Sequence, residues 1–287
     1  MFPGLVDQVK KSDSRHNFFM KDKVVIVTGA TSGIGEALTF ECAQKGAKLS
    51  LGARNIEKLT LISEKLLQDK CEVLITQTDV TLERDCKNLI DRTIEKFGRI
   101  DVLINNAGIS MRAIFEEVDL KVIHQVMDTN FWGTVYCSKY ALPYLLKSKG
   151  SLVGMSSVAG YKGLPGRTGY SASKFAMQGF LEVIRMENMK KGLHVLIACP
   201  GFTASNIRNL SLTKDGTSQG ETPLDEDKLM PAEEVARYIY GAIEQRKRTL
   251  ILTSQGKMTV LLNKFFPSFM DKMVYNHMAK EPDSPFK

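Results

Sequence analysis

A short β-branched run, Val24-Val25-Ile26-Val27, leads into Thr28-Gly29-Ala30-Thr31-Ser32-Gly33-Ile34-Gly35. This junction constrains the fold of the chain more than any other stretch. Consecutive β-branched residues suit a strand buried on both faces, as in a parallel sheet. Glycines then arrive where a strand turns tightly into a helix. Gly29 can take backbone angles closed to other residues. Gly33 and Gly35 carry no side chain, so an anion can approach the backbone and the new helix can pack closely on the sheet. The amides that open such a helix are free, and the helix dipole favours negative charge there. The spacing is Gly-x-x-x-Gly-x-Gly, and taken alone it also describes an ordinary strand–helix turn.

The alternation continues along the chain. Strand patterns are expected at residues 47–52, 72–76, 101–105, 152–155, 193–199 and 249–253, and helical patterns at 82–97, 120–146, 170–189 and 232–245. This order predicts an α/β fold, a doubly wound parallel sheet with helices on both faces. A chain of 287 residues could hold two domains by length, but α/β folds of this size are often one. Residues 22–255 are read as that single domain, 1–21 as an N-terminal extension and 256–287 as a C-terminal amphipathic helical extension. Residues 206–230 are rich in Ser, Thr, Asp and Gly and interrupt the alternation, as a substrate lid or a passive insertion does, and the lid is the expectation.

The second strand bears on the choice of anion. An acid about 20 residues beyond the glycines would bind a ribose 2′-hydroxyl. Ala53 stands there, followed by Arg54 and Asn55. No carboxylate repels a 2′-phosphate, and a guanidinium suits one by charge and geometry.

Tyr170 and Lys174 are four residues apart in a helical pattern, so they share a face. A free tyrosine has a pKa of about 10, and a neighbouring ammonium favours the phenolate. Tyr170 is therefore expected to have a lowered pKa and to serve as general acid for reduction and general base for oxidation. Ser157 ends the strand pattern before it and could stabilise charge on a substrate oxygen. With the glycine turn, these residues predict hydride transfer between NADP and a secondary alcohol or carbonyl, with Ser157 and Tyr170 as the groups that touch substrate. The sequence leaves open a cofactor-binding regulatory protein with little turnover.

The motifs together resemble the short-chain dehydrogenase/reductase superfamily over residues 22–255: Thr28 to Gly35, Asp79-Val80, Asn105-Asn106-Ala107-Gly108, Asn130, Ser157, Tyr170 with Lys174, and Pro200-Gly201. The resemblance implies a Rossmann fold and a catalytic set of Asn130, Ser157, Tyr170 and Lys174. Asn130 would hold a water in a proton relay with Lys174, which would also bind the nicotinamide ribose. The cofactor would contact Gly29, Thr31, Ser32, Gly33, Ile34, Gly35, Arg54 and Asn55. Asp79 and Val80 would flank the adenine, and Asn106, Ala107 and Gly108 would line the path. Pro200, Gly201, Thr203 and Ser205 would receive the nicotinamide carboxamide. Many NADP-dependent members carry a basic residue where this chain has Ser32, which leaves the assignment to Arg54. Between residues 105 and 173 the chain is similar to the dehydrogenase/reductase member 7 group and, more distantly, to 11-beta-hydroxysteroid dehydrogenases. Related enzymes pair the helices at 120–146 and 170–189 across a two-fold axis, so a homodimer or homotetramer is expected.

Other chemistries find little support. The five cysteines, Cys42, Cys71, Cys86, Cys137 and Cys199, form no Cys-x-x-Cys, and the four histidines lack ligand spacing. No metal site is expected. The net charge of +7 is spread among interleaved acids, which argues against nucleic acid. No apolar run reaches the eighteen or so residues of a spanning helix, and a cytoplasmic location is expected. Past the last strand, Met258, Leu261, Leu262, Phe265 and Phe266 recur at helical spacing, Pro267 interrupts, and Phe269, Met270, Met273, Val274 and Met278 continue. With Lys257, Lys264, Lys272 and Lys280 on the polar side, this segment could lie peripherally on a membrane or pack on its own domain.

Overall fold

A computed structural model describes residues 19–204, 206–220, 222, 229–281 and 284–286. Most of the N-terminal extension, together with Ser205 and much of the second half of the 206–230 loop, therefore lies outside the described residues.

Seven strands form one parallel sheet: β1 (Val24–Thr28), β2 (Lys48–Ala53), β3 (Val73–Gln77), β4 (Val102–Asn105), β5 (Ser151–Met155), β6 (His194–Cys199) and β7 (Thr249–Ile251). Their order is β3-β2-β1-β4-β5-β6-β7. The chain winds outward from β1 to β3, crosses to β4, and winds outward the other way to β7. That reversal opens a crevice at the carboxyl ends of β1 and β4, where a doubly wound sheet binds its ligands.

Helices cover both faces. On one side lie α1 (Gly33–Gln44), α2 (Ile56–Gln68) and α7 (Ala232–Glu244), and on the other α3 (Glu83–Phe97), α5 (Gly133–Ser148) and α6 (Thr168–Glu187). Alternate strand residues feed the two cores. Val25, Val27, Leu49 and Leu51 pack with Leu38, Leu59 and Ile239, whereas Ile26, Leu103 and Leu152 pack with Leu89, Leu145 and Leu181. Burial on both faces explains why β1 reads as an unbroken β-branched run.

The helical pattern at 120–146 differs from expectation. It divides into α4 (Leu120–Met127), a π-helical turn (Asp128–Trp132) and α5. The cause is Asn130, fully buried in that turn. Its side chain accepts from the Ile109 amide at 2.8 Å and donates to the Ile109 carbonyl at 2.9 Å. An extra residue in the turn lets the side chain reach the loop after β4, and such bulges cluster at functional positions.

The 206–230 segment is docked where it is described. Leu212 is buried in a third cluster with Met111, Val118, Val122 and Val126, against which Tyr170 packs. The Arg112 amide donates to the Leu212 carbonyl at 2.8 Å, and the Leu212 amide donates to the Ser110 carbonyl at 2.9 Å. Beyond β7 come α8 (Ser254–Phe265) and α9 (Pro267–Met278), with Pro267 opening the second as a first-position proline can. On their faces Met270 and Met278 are buried, while Met258, Leu261, Phe265, Phe266 and Phe269 are exposed.

Candidate active site

The crevice begins at β1. Thr28 Oγ1 accepts from the backbone amides of Asn106 and Ala107 at 3.0 and 3.1 Å. The Asn106 side-chain amide donates to the carbonyls of Thr28 and Gly29 at 3.0 and 3.2 Å. These bonds tie the two strand ends together beneath the opening. Gly29 sits at φ +66°, and a Cβ on Gly35 would meet the Gly29 oxygen at 2.2 Å and Asn106 Nδ2 at 2.3 Å. Only backbone fits here.

The crevice fits an anionic dinucleotide. Ser32 caps α1 by position but makes no side-chain cap bond, so the first amides of the helix meet no internal acceptor from it. Ala53 closes β2 without a carboxylate, and Arg54 is exposed beside it. Among the described residues the Arg54 guanidinium forms no ion pair. Asn55 is otherwise engaged, because its Oδ1 caps α2 by accepting from the Lys58 amide at 2.8 Å. Asp79 Oδ1 closes a turn with Thr81, while Val80 packs against Gly133. Gly201 lies so close to Thr253 that a Cβ there would meet the threonine methyl at 2.8 Å. Thr203 is buried, bonds the Gly201 carbonyl at 3.2 Å, and bridges to Met230.

Around the mouth, four predicted residues come together. Ser157 follows β5, and its Oγ caps a short helical turn by accepting from the Ala159 amide at 3.2 Å. The Ser157 hydroxyl acts on the Tyr170 phenol and favours its ionised form. Lys174 Nζ lies 5.6 Å from the centre of the Tyr170 ring and donates to the Met155 carbonyl at 2.7 Å. A Cβ on Gly108 would lie 3.2 Å from Asn130 Oδ1 and 3.5 Å from Lys174 Nζ, so these two polar atoms flank the same glycine. Asn130 Nδ2 also donates to Ser173 Oγ at 2.9 Å. Its side chain is thus committed largely to shaping the loop after β4.

The expected electrostatics need correction. Burial raises the Tyr170 pKa above its ordinary value, although the Ser157 hydrogen bond and the charges of Arg167 and Arg208 pull it down. Burial also lowers Lys174 to about 8. A neighbouring ammonium alone would favour the phenolate, but desolvation acts on both groups. Arg167 and Arg208 reach the phenol through loop packing, which leaves no local pattern in the sequence.

The depressed Lys174 pKa has a measurable consequence. An unfolded lysine keeps its proton to about 10.5, whereas the folded one releases it near 8. Between these values the unfolded chain binds more protons, so stability rises with pH. Relative to Lys174→Met, the wild type should gain roughly 3 kcal/mol between neutral pH and the upper end of that window. Denaturant melts of both proteins at a series of pH values would read this gain, and a pH-independent difference would contradict it.

Comparison with known proteins agrees with this geometry. The family profile described as short chain dehydrogenase matches residues 23–215. The chain is 37% identical over 260 residues to 11-beta-hydroxysteroid dehydrogenase A of Arachis hypogaea, covering 87% of this chain and 73% of that protein. It is 33% identical over 262 residues to a dehydrogenase/reductase SDR family protein 7-like of Dictyostelium discoideum, covering 89% and 81%. A short chain dehydrogenase/reductase from Burkholderia phymatum, solved in complex with NAD, superposes with a TM-score of 0.78 at 25% identity, covering 88% of this chain and 96% of that one. From the strand order, the glycine turn and these matches together, the chain belongs to the short-chain dehydrogenase/reductase family of oxidoreductases.

Proposed function

We propose that the protein is an NADP-dependent oxidoreductase that interconverts a secondary alcohol and a carbonyl on a lipophilic molecule, with Tyr170 as the acid–base group. The observation that carries this reading is Tyr170, packed against an apolar cluster with Lys174 Nζ 5.6 Å from its ring and with Ser157 acting on its phenol, at the carboxyl end of the sheet. NADP, when bound, supplies or accepts the hydride. Tyr170 gives its proton to the substrate oxygen in reduction and takes one in oxidation, and Ser157 holds that oxygen by a hydrogen bond. The raised Tyr170 pKa keeps the phenol protonated at neutral pH, the form that a reductase needs. Asn130 keeps the loop wall in register, and Lys174 orients the ribose side of the site. The docked 206–220 stretch is read as the described part of a substrate lid, because Leu212 and Tyr170 share one apolar cluster. Homologues named as 11-beta-hydroxysteroid dehydrogenases support a lipophilic substrate.

The cofactor set follows the crevice. Gly29 and Thr31 to Gly35 surround the pyrophosphate, Asp79 and Val80 flank the adenine, and Asn106 to Gly108 line the path. Pro200, Gly201 and Thr203 receive the carboxamide, a role also proposed for Ser205. The Burkholderia relative was solved with NAD, so the preference for NADP rests on this chain's own Ala53 and Arg54. Exposed Trp132, Phe175, Val183 and Met186 on the π turn and α6 support a homodimer or homotetramer, which light scattering would read as a multiple of 32.0 kDa.

A panel of steroid, retinoid, quinone and acyl carbonyls with NADPH oxidation as readout tests the activity. Tyr170→Phe should lower turnover by ~10²-fold or more with NADPH affinity little changed, and wild-type turnover in that variant would remove Tyr170 from the mechanism. Arg54→Ala should lose about tenfold to a hundredfold in NADPH affinity and little for NADH. Equal wild-type affinity for the two cofactors would contradict the NADP assignment.

A peripheral membrane contact is part of the proposal. Among the described residues no helix is long and apolar enough to cross a bilayer. The exposed face of α8 and α9 instead joins Leu261, Phe265, Phe266 and Phe269 to exposed Lys257, Lys264 and Lys272, the pattern of an interfacial helix. Co-sedimentation with anionic phosphatidylglycerol vesicles should occur at low salt, weaken at high salt, and disappear when Phe265, Phe266 and Phe269 are changed to Ser. Full retention in the supernatant at every salt concentration would count against it.

A further inference from the structure

We propose that Glu281 is a positioning residue for the acid–base site. Its carboxylate, buried between Arg112 and Arg167, locks the C-terminal segment onto the start of α6 and fixes the guanidinium one helical turn ahead of Tyr170. This inference rests on the reading of Tyr170 as the acid–base group.

The three side chains are almost wholly removed from solvent, with exposures of 5% for Glu281, 9% for Arg112 and 11% for Arg167. Glu281 Oε2 is 3.3 Å from Arg112 Nη2 and 3.5 Å from Arg167 Nη2. Two guanidiniums so close repel each other where water is scarce, and the Glu281 carboxylate between them offsets that repulsion. Apolar residues could have pinned the chain end. An ion triad instead orients the guanidiniums, because the Arg112 hydrogen bond to Glu281 Oε2 is directional and the Arg167 charge is drawn to the same oxygen.

The triad lies where several segments converge. Arg167 is the N-cap residue of α6, the helix that carries Tyr170 and Lys174, and it makes no side-chain cap bond of its own. The Ala113 amide donates to the Gly166 carbonyl at 2.9 Å, and the Arg112 amide donates to Leu212 in the 206–220 segment. The extension beyond β7 grips the same loop elsewhere. Asn263 Nδ2 donates to the Tyr161 carbonyl at 3.0 Å, Lys162 pairs with Asp271, and Arg167 Nη1 lies 3.8 Å from Met278 Sδ. Glu281 thus joins the α6 start, the loop after β4, the 206–220 segment and the chain end. The groups that bear on the Tyr170 phenol are Ser157 after β5, Lys174 on α6, Arg167 at its cap, Arg208 from the 206–220 segment and Cys199 at the end of β6. Of these cations, Arg167 is the one that Glu281 holds.

The test compares wild type, Glu281→Gln, Glu281→Asp and Tyr170→Phe, with NADPH and phenanthrenequinone as the probe reaction. In Glu281→Gln Arg167 loses its ion pair and moves, and it no longer favours the phenolate. Turnover should fall by about tenfold to a hundredfold, as misplacement near a reacting group does. The pH limb set by Tyr170 should move upward, and NADPH affinity should stay at its wild-type value. Glu281→Asp, with its carboxylate drawn back, should show a smaller change in the same direction. Without cofactor, amide exchange at residues 161–171 should be faster in Glu281→Gln than in wild type. Unchanged exchange there, or lost turnover with an unmoved pH limb, would overturn the proposal and leave Glu281 a structural contact. If Glu281→Gln does not fold, wild-type turnover and pH limb in Glu281→Asp overturn it equally. Wild-type turnover in Tyr170→Phe would instead refute the acid–base reading, and the exchange measurement alone would then decide whether Glu281 locks α6.

Discussion

The pairing of β1 with β4 is the constraint on which the site depends. At its amino end, the Val24 amide donates to the buried Asp101 carboxylate at 3.0 Å, and Arg99 holds that carboxylate from outside. At its carboxyl end, Asn106 donates two hydrogen bonds to Thr28 across the strands. The first bond set fixes the register of the two central strands, and the second keeps their ends from closing over the crevice. Because winding reverses between these strands, the helices that follow them diverge to opposite faces, and backbone amides are left pointing into the gap. Without that seam the glycine turn would be only a turn.

Dryness is the second theme. Tyr170 lies against an apolar cluster, and burial acts on it and on Lys174 more strongly than their neighbours do. It pushes Tyr170 up and Lys174 down, each toward its neutral form. The charges of Arg167 and Arg208 act on Tyr170 in the opposite sense to its burial. The C-terminal segment contributes by covering the β5–α6 loop, so a part of the chain outside the sheet helps set the environment of residues within it.

How much was legible in the sequence follows from the range of each interaction. Strand and helix order could be read because burial on both faces leaves unbroken apolar runs such as Val24 to Val27. Tyr170 and Lys174 could be paired because four residues on a helix are neighbours, and the glycine turn because its conformation is local. The break in the helix at Asn130 was not readable, since its cause is the Ile109 backbone on another loop. Nor was the triad of Arg112, Arg167 and Glu281, whose outer members are 169 residues apart. Asn55 carries a second role that its position did not reveal: its side-chain oxygen also caps α2. Local patterns carry the scaffold, and packing between distant segments decides the electrostatics.

The central claim is that the β1–β4 crevice, with its glycine turn, holds the dinucleotide. Amide hydrogen exchange of the full chain with and without saturating NADPH tests it most directly. The account requires slower exchange on binding at residues 29–36 and 106–109, the backbone that faces the gap. Protection confined to other segments, or none at all under saturating cofactor, would contradict it.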